Sequence, residues 1–149
     1  METALDIFRV MMREEIGPEL RQMGFKGSGQ SFTLPSETHW VLLGFQKSRA
    51  SNAKDVRFTV NVTAVSKRAW VEARSERSYL PERPSANSRY GPFAWQLRIG
   101  HLLLDRQDKW WTVDTRASME SLKVEVLDAI RTYALPAIEQ QVAQESREG

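Results

Sequence analysis

Apolar and polar residues along this 149-residue chain follow two different periods, and the changes of period divide it into elements. Leu5, Phe8, Met12, Ile16, Leu20 and Met23 recur every three or four positions, which places them on one face of a helix. Gly17-Pro18 interrupts that stripe. Proline lacks an amide donor and crowds the preceding turn, so a kink is expected, or a helix that restarts with Pro18 in its first turn. Gly24 supplies the stop.

A period of two then takes over. Ser31–Leu34 is a short strand ending at Pro35, and His39–Lys47 carries apolar residues on both faces, as a covered strand does. Val56–Val65 is the cleanest alternation: Phe58, Val60, Val62 and Ala64 face one way, Arg57, Thr59, Asn61 and Thr63 the other. The polar link 48–55 suits a hairpin. Further on, Phe93–Leu102 alternates again, with Phe93, Trp95, Leu97 and Ile99 on one face and Gln96 and Arg98 on the other. Trp110–Val113 reads as a last strand.

Two further helices complete the pattern. Ser66 caps a short one running to about Arg77, with Trp70 and Ala73 facing inward. Ser118 is placed to cap the last, whose buried stripe is Met119, Leu122, Val126, Ile130 and Tyr133. Pro136 is expected to break that helix, leaving a final turn or two with Ile138 and Val142 and a frayed polar tail from Gln144 to Gly149. The stretch from Tyr79 to Pro92 has no period and holds three prolines, and loops of that length often serve function. Helix, three strands, helix, two strands, helix is a grouped order. It predicts one α+β domain: a single antiparallel sheet of about five strands packed with N-terminal, middle and C-terminal helices.

Composition narrows the chemistry. With no cysteine, a disulfide framework, a thiolate metal site and a cysteine nucleophile are excluded. No apolar run approaches the roughly 20 residues of a membrane helix and the N-terminus lacks the pattern of a signal peptide, so a cytoplasmic protein without a membrane partner is expected. The net charge of +2 is unevenly spread. Residues 67–106 hold eight Lys and Arg against four Asp and Glu, and residues 107–149 hold five against eight. A surplus of four is a weak field, and no nucleic-acid motif accompanies it, so nucleic-acid binding by that stretch ranks last among the expectations.

Few residues carry candidate chemistry. Gly24-Phe25-Lys26-Gly27-Ser28-Gly29 looks like a phosphate loop, but it follows a helix and precedes a strand, the reverse of the order that aims amides at an anion. Of the two histidines, His101 is the better candidate, close to Asp105 and Asp108; the spacing matches no specific metal motif, and no cofactor is implied. Arg98 stands on the polar side of its strand beside Gln96, where it could bind a carboxylate or phosphate, or pair with an acid inside the domain. Trp110 and Trp111 are adjacent, so on a strand one enters the core and the other faces away. With Arg89 and Tyr90 from the long loop, they outline a possible binding surface of aromatics and arginine.

These residues resemble a family. Gly24-Phe25-Lys26 after a helix, Phe32, Phe58-x-Val60-Asn61, Arg98-Ile99-Gly100 and Asp108-x-Trp110-Trp111 are similar to the bacterial domain of unknown function 4304, over about Leu5 to Pro136. The resemblance implies a small bacterial domain without assigned activity and carries over no catalytic residue. By analogy with small standalone bacterial domains, the leading expectation is a non-enzymatic protein-binding module, immunity- or antitoxin-like, that meets a toxin-like protein. The alternative is a small-molecule or phosphate-ligand domain, conceivably a hydrolase using Arg98, His101 and Asp108.

Overall fold

The computed structural model describes residues 2–115 and 119–148. Strands β1 (Lys26–Ser28), β2 (Ser31–Leu34), β3 (His39–Lys47) and β4 (Asp55–Ser66) follow one another across an antiparallel sheet. The outer edge of β4 is shared by two four-residue strands laid end to end. Strand β5 (Trp95–Arg98) pairs with Asn61–Ala64, and β6 (Trp111–Asp114) pairs with Asp55–Phe58. The α+β reading holds, with six strands; the additional one is β1, formed by the glycine-rich stretch folding back on β2 as a hairpin.

Sharing one edge shortens a predicted strand. Phe93–Leu102 does not run through as a strand: pairing ends at Arg98 opposite Asn61, and Ile99–Leu102 is a 3-10 turn. Ile99 drops into the core there, fully buried. Phe93 does not share the face of Trp95 either, but packs with Trp70 in a separate cluster. In the gap between the two short strands, the Thr59 hydroxyl donates to the Lys109 carbonyl at 2.7 Å.

Both long helical stretches carry the same device. Helix α1 (Ala4–Met11) leads through a π-helical turn (Met12–Ile16) into α2 (Gly17–Gln22), with Pro18 as its second residue. Helix α4 (Met119–Ala129) leads through a π-helical turn (Ile130–Ala134) into α5 (Leu135–Glu148), with Pro136 as its second residue. In each, the residue before the proline donates to a carbonyl five positions back, Gly17 to Met12 and Leu135 to Ile130. The wider turn accommodates a ring that would clash with an ordinary i−4 carbonyl. Pro136 therefore does not end the helix, and α5 continues to Glu148. The Ser118 cap lies outside the described residues. At the other end, Thr3 and Asp6 form a capping box on α1 that holds the exposed Asp6 carboxyl below its usual range, chiefly through hydrogen bonding to the Thr3 backbone.

The sheet is covered differently on its two faces. One face carries the main core, in which Phe8 of α1 meets Phe58 (5.1 Å between ring centroids), Phe45 and Trp111 pack around Phe58, and Val126, Ile130 and Ile138 close the layer. Lys123 binds Glu15 at 3.0 Å across the two helical stretches. The other face carries helix α3 (Lys67–Glu76), capped by Ser66 as expected, with the loop beyond it. There Trp70, Val65 and Leu80 form a small second cluster.

Candidate functional site

The polar side chains of β4 and β5 lie on this second face, in rows set by strand register. Thr63 stands opposite Gln96, Asn61 opposite Arg98, and Gln46 of β3 opposite Thr59. Thr59 and Thr63 are fully buried, Thr59 against the Lys109 carbonyl and Thr63 against Gln96, so this polar face is covered rather than left to solvent.

What holds the loop is specific. Trp70 Nε1 donates to the carbonyls of Pro81 (3.1 Å) and Glu82 (3.0 Å), and Tyr90 stacks edge-on against Trp70 at 4.8 Å. Gln96 works from the sheet side: its Oε1 accepts from the Tyr90 amide at 2.9 Å and its Nε2 donates to the Ser88 carbonyl at 2.7 Å. Gly44 lets the loop sit close, since a Cβ there would run into Asn87 Oδ1 and lie 2.9 Å from the Ala86 Cβ. Asn61 Nδ2 bridges Asn87 Oδ1 (2.9 Å) and Gln46 Oε1 (2.8 Å). The stretch Tyr79–Pro92, irregular in sequence, is thereby fixed to the sheet by side-chain amides.

Between the pinned loop and β5 lies a cleft of about 130 Å³. Gln46, Asn61, Thr63 and Gln96 form its polar floor; Ser88 and Arg89 stand on the loop side and Arg98 on the other. Two arginines and no carboxylate line it. Arg98 nevertheless has an internal partner. Its Nη1 meets Asp108 Oδ2 at 3.1 Å, with both side chains more than a third exposed (37% and 39%). The same oxygen accepts from Trp110 Nε1 at 2.9 Å, and the Arg98 guanidinium lies 5.1 Å from the Trp110 ring. Arg57 approaches that ring at 5.9 Å. Gly100 makes the approach possible, because a Cβ at that position would collide with the backbone of Gln107–Lys109 as it passes. The Arg-Ile-Gly and Asp-x-Trp-Trp motifs, ten residues apart, are thus two halves of one latch.

The two tryptophans separate as adjacency requires. Trp111 is the buried one, 3% exposed, stacked against Phe58 at 5.8 Å. It belongs to the core and offers no surface for recognition, which removes it from the candidate binding residues. Its Nε1 donates to Glu125 Oε1 at 3.0 Å, and Lys109 Nζ reaches the same oxygen at 3.1 Å. Burial pushes the Glu125 carboxyl up, but these two donors outweigh it and leave it below its ordinary 4.5. Trp110 stays half-buried on the opposite face.

The other candidates part company. Arg89 and Arg98 line the cleft, while Tyr90 is spent on the loop, its hydroxyl accepting from the Ser85 amide at 2.7 Å. His101 is exposed in the 3-10 turn and shares no hydrogen bond or ion pair with Arg98 or Asp108 among the described residues. The other histidine, His39, is the buried one. Its Nε2 meets Glu145 Oε2 of α5 at 2.5 Å and its Nδ1 meets the Thr38 hydroxyl at 2.8 Å. No group of three or more His, Asp or Glu side chains among the described residues is placed to hold a metal ion. Nor is any described helix long and apolar enough to cross a membrane. The amide floor of Gln46, Asn61 and Gln96 was not singled out in the sequence as a site; its signal was the polar face shared by three neighbouring strands, which the fold partly buries.

An antiparallel sheet with the N- and C-terminal helices over one face and α3 with a pinned loop over the other defines an α+β domain with a polar cleft on its loop side. The chain belongs to the domain of unknown function family DUF4304, whose model matches residues 16–140. No curated protein and no solved structure matches it.

Proposed function

We propose that this chain is a non-enzymatic protein-binding module of the cytosol, with a role of the toxin-neutralising, immunity kind. Its recognition surface would be the cleft rim at Arg89 and Arg98 together with Trp110. The observation that carries this reading is the size and lining of the cleft. At about 130 Å³, it falls short of the roughly 300–1,000 Å³ of small-molecule sites and suits a single side chain of a partner. A lining with two arginines and no carboxylate favours an acidic side chain. Arginine and tryptophan are also the residues in which interface energy concentrates. A hydrolase built on Arg98, His101 and Asp108 finds less support, because Asp108 is already engaged by Arg98 and Trp110, and His101 stands apart.

The test is affinity capture from the native host with the intact chain, followed by purified binding measurements on any protein retained. Arg89→Glu, at a side chain with no hydrogen bond or ion pair among the described residues, is expected to weaken a genuine partner by at least about tenfold, equivalent to about 1.4 kcal/mol. Trp110→Ala should do the same. A partner that binds both variants as tightly as the wild type would sink the reading.

A further inference from the structure

The pinned loop has two sides. Ala86–Arg89 line the small cleft, while Arg83 and Pro84 line a larger groove of about 430 Å³ over β1–β3 on the same face of the sheet. Register places Lys26 of β1 opposite Thr33, and Thr33 opposite Leu42, so the groove floor is the first half of a cross-sheet row that ends at Gln96 in the other cleft. Lys67 enters from the start of α3. Three cations from three separate parts of the chain, Lys26, Lys67 and Arg83, therefore converge on this groove, and no carboxylate lines it. In a chain with 21 basic and 19 acidic residues, such a one-sided lining sets the sign of the local field.

The cations are also partly preorganised. Lys67 Nζ donates to the Ser36 carbonyl at 2.7 Å and lies 4.8 Å from the centre of the Trp40 ring. The Arg83 guanidinium lies 5.4 Å from the same ring. Both heads are thus held at one aromatic side chain, which lowers the entropy lost when they close on a ligand. Among the described residues none of the three cations takes part in an ion pair. Among the described residues the guanidinium fork of Arg83 makes no hydrogen bond, and Lys67 uses one of its donors.

We propose that this groove is a second binding site, for a small molecule bearing a dianionic phosphate group. Phosphate offers acceptor oxygens alone to a set of donors, and it can be met by an arginine fork and two ammonium groups at once. Unlike the cleft beyond the loop, the groove reaches the volume of small-ligand sites, and Leu34, Leu42 and Pro84 give it an apolar wall. A phosphate ester with an organic body therefore fits better than the free anion. Lys26, from the glycine-rich hairpin, supplies a side chain to this site although the hairpin's backbone is no phosphate loop. The proposal shares no residue with the surface assigned to a protein partner.

The experiment is a titration of the intact chain with inorganic phosphate and, separately, with AMP, at constant ionic strength, followed by calorimetry and by amide chemical shifts. Saturable 1:1 binding is expected, with shifts centred on Lys26, Thr33, Trp40 and Lys67, and tighter for AMP. Arg83→Gln and Lys67→Gln should each weaken it by roughly tenfold or more, as charge-assisted bonds do. Arg89→Gln, in the other cleft, should leave it unchanged. AMP and phosphate of equal affinity would assign the site to the free anion and overturn the ester. No saturation by either ligand, or binding indifferent to Arg83→Gln and Lys67→Gln, would overturn the site itself. Arg83 is exposed on a loop, so its variant keeps the test valid if Lys67→Gln impairs folding.

Discussion

The two faces of the sheet are built on opposite principles. The helix face is held chiefly by apolar contact: Phe8, Phe45, Phe58 and Trp111 meet ring to ring, and Leu43, Val60 and Val62 around them are fully buried. The loop face is held largely by amides and hydroxyls that satisfy one another, Gln96 to Ser88 and Tyr90, Asn61 to Gln46 and Asn87. Apolar contact tolerates neighbours of many shapes, whereas a part-buried amide network fixes geometry and leaves donors and acceptors at its margin. Both proposed binding surfaces lie on the second face, along the two sides of the loop.

The comparison can be broken experimentally. The largest effect is expected from Phe58→Ala, which removes the ring that touches three other aromatics; a loss of about 3–5 kcal/mol in urea unfolding is expected. Trp111→Ala should come close to it. Gly44→Ala probes the loop face: the added methyl meets Asn87 and Ala86, and about 1–3 kcal/mol should be lost, with faster proteolytic cleavage within 79–94. Equal losses for Phe58→Ala and Gly44→Ala, without loop cleavage, would remove the distinction between the faces.

Trp110→Ala sharpens the contrast with its neighbour. This half-buried ring loses its contacts with Arg57 and Arg98, and a cost of about 1–2 kcal/mol is expected, well below that of Trp111→Ala. The smallest effect belongs to Glu125. Its carboxyl lies below the ordinary 4.5 in the folded protein, so its contribution is present above that value and is lost as pH falls through the lowered one. The stability gap between wild type and Glu125→Gln should therefore be present at neutral pH and shrink on acidification. A gap that widened in acid would reverse the assigned direction.

Much of the helix face was legible in the chain. The stripe from Leu5 to Leu20 and the alternation in Val56–Val65 named the core residues, because burial on one side imposes a local period that survives in the sequence. The loop face was not, because its order comes from Gln96, Asn61 and Gly44 reaching residues in a stretch that has no period of its own. Arg98 was seen as either a ligand-binding arginine or an internal partner; its contact with Asp108 shows the internal pairing, and the cleft beside it carries the proposal of binding.

By itself, then, the sequence determined the α+β class, the faces of the long strand, the cap at Ser66 and the rule that Trp110 and Trp111 must part. Tertiary structure alone decided which tryptophan is buried, through the register of Trp111 on Phe58. It also decided that two strands share one edge of β4, that Pro136 rides a π-helical turn without ending its helix, and that His39 meets Glu145 106 residues away. Periodicity reports only what a residue shares with neighbours a few positions off. Register, edge sharing and clefts arise where distant segments compete for the same space.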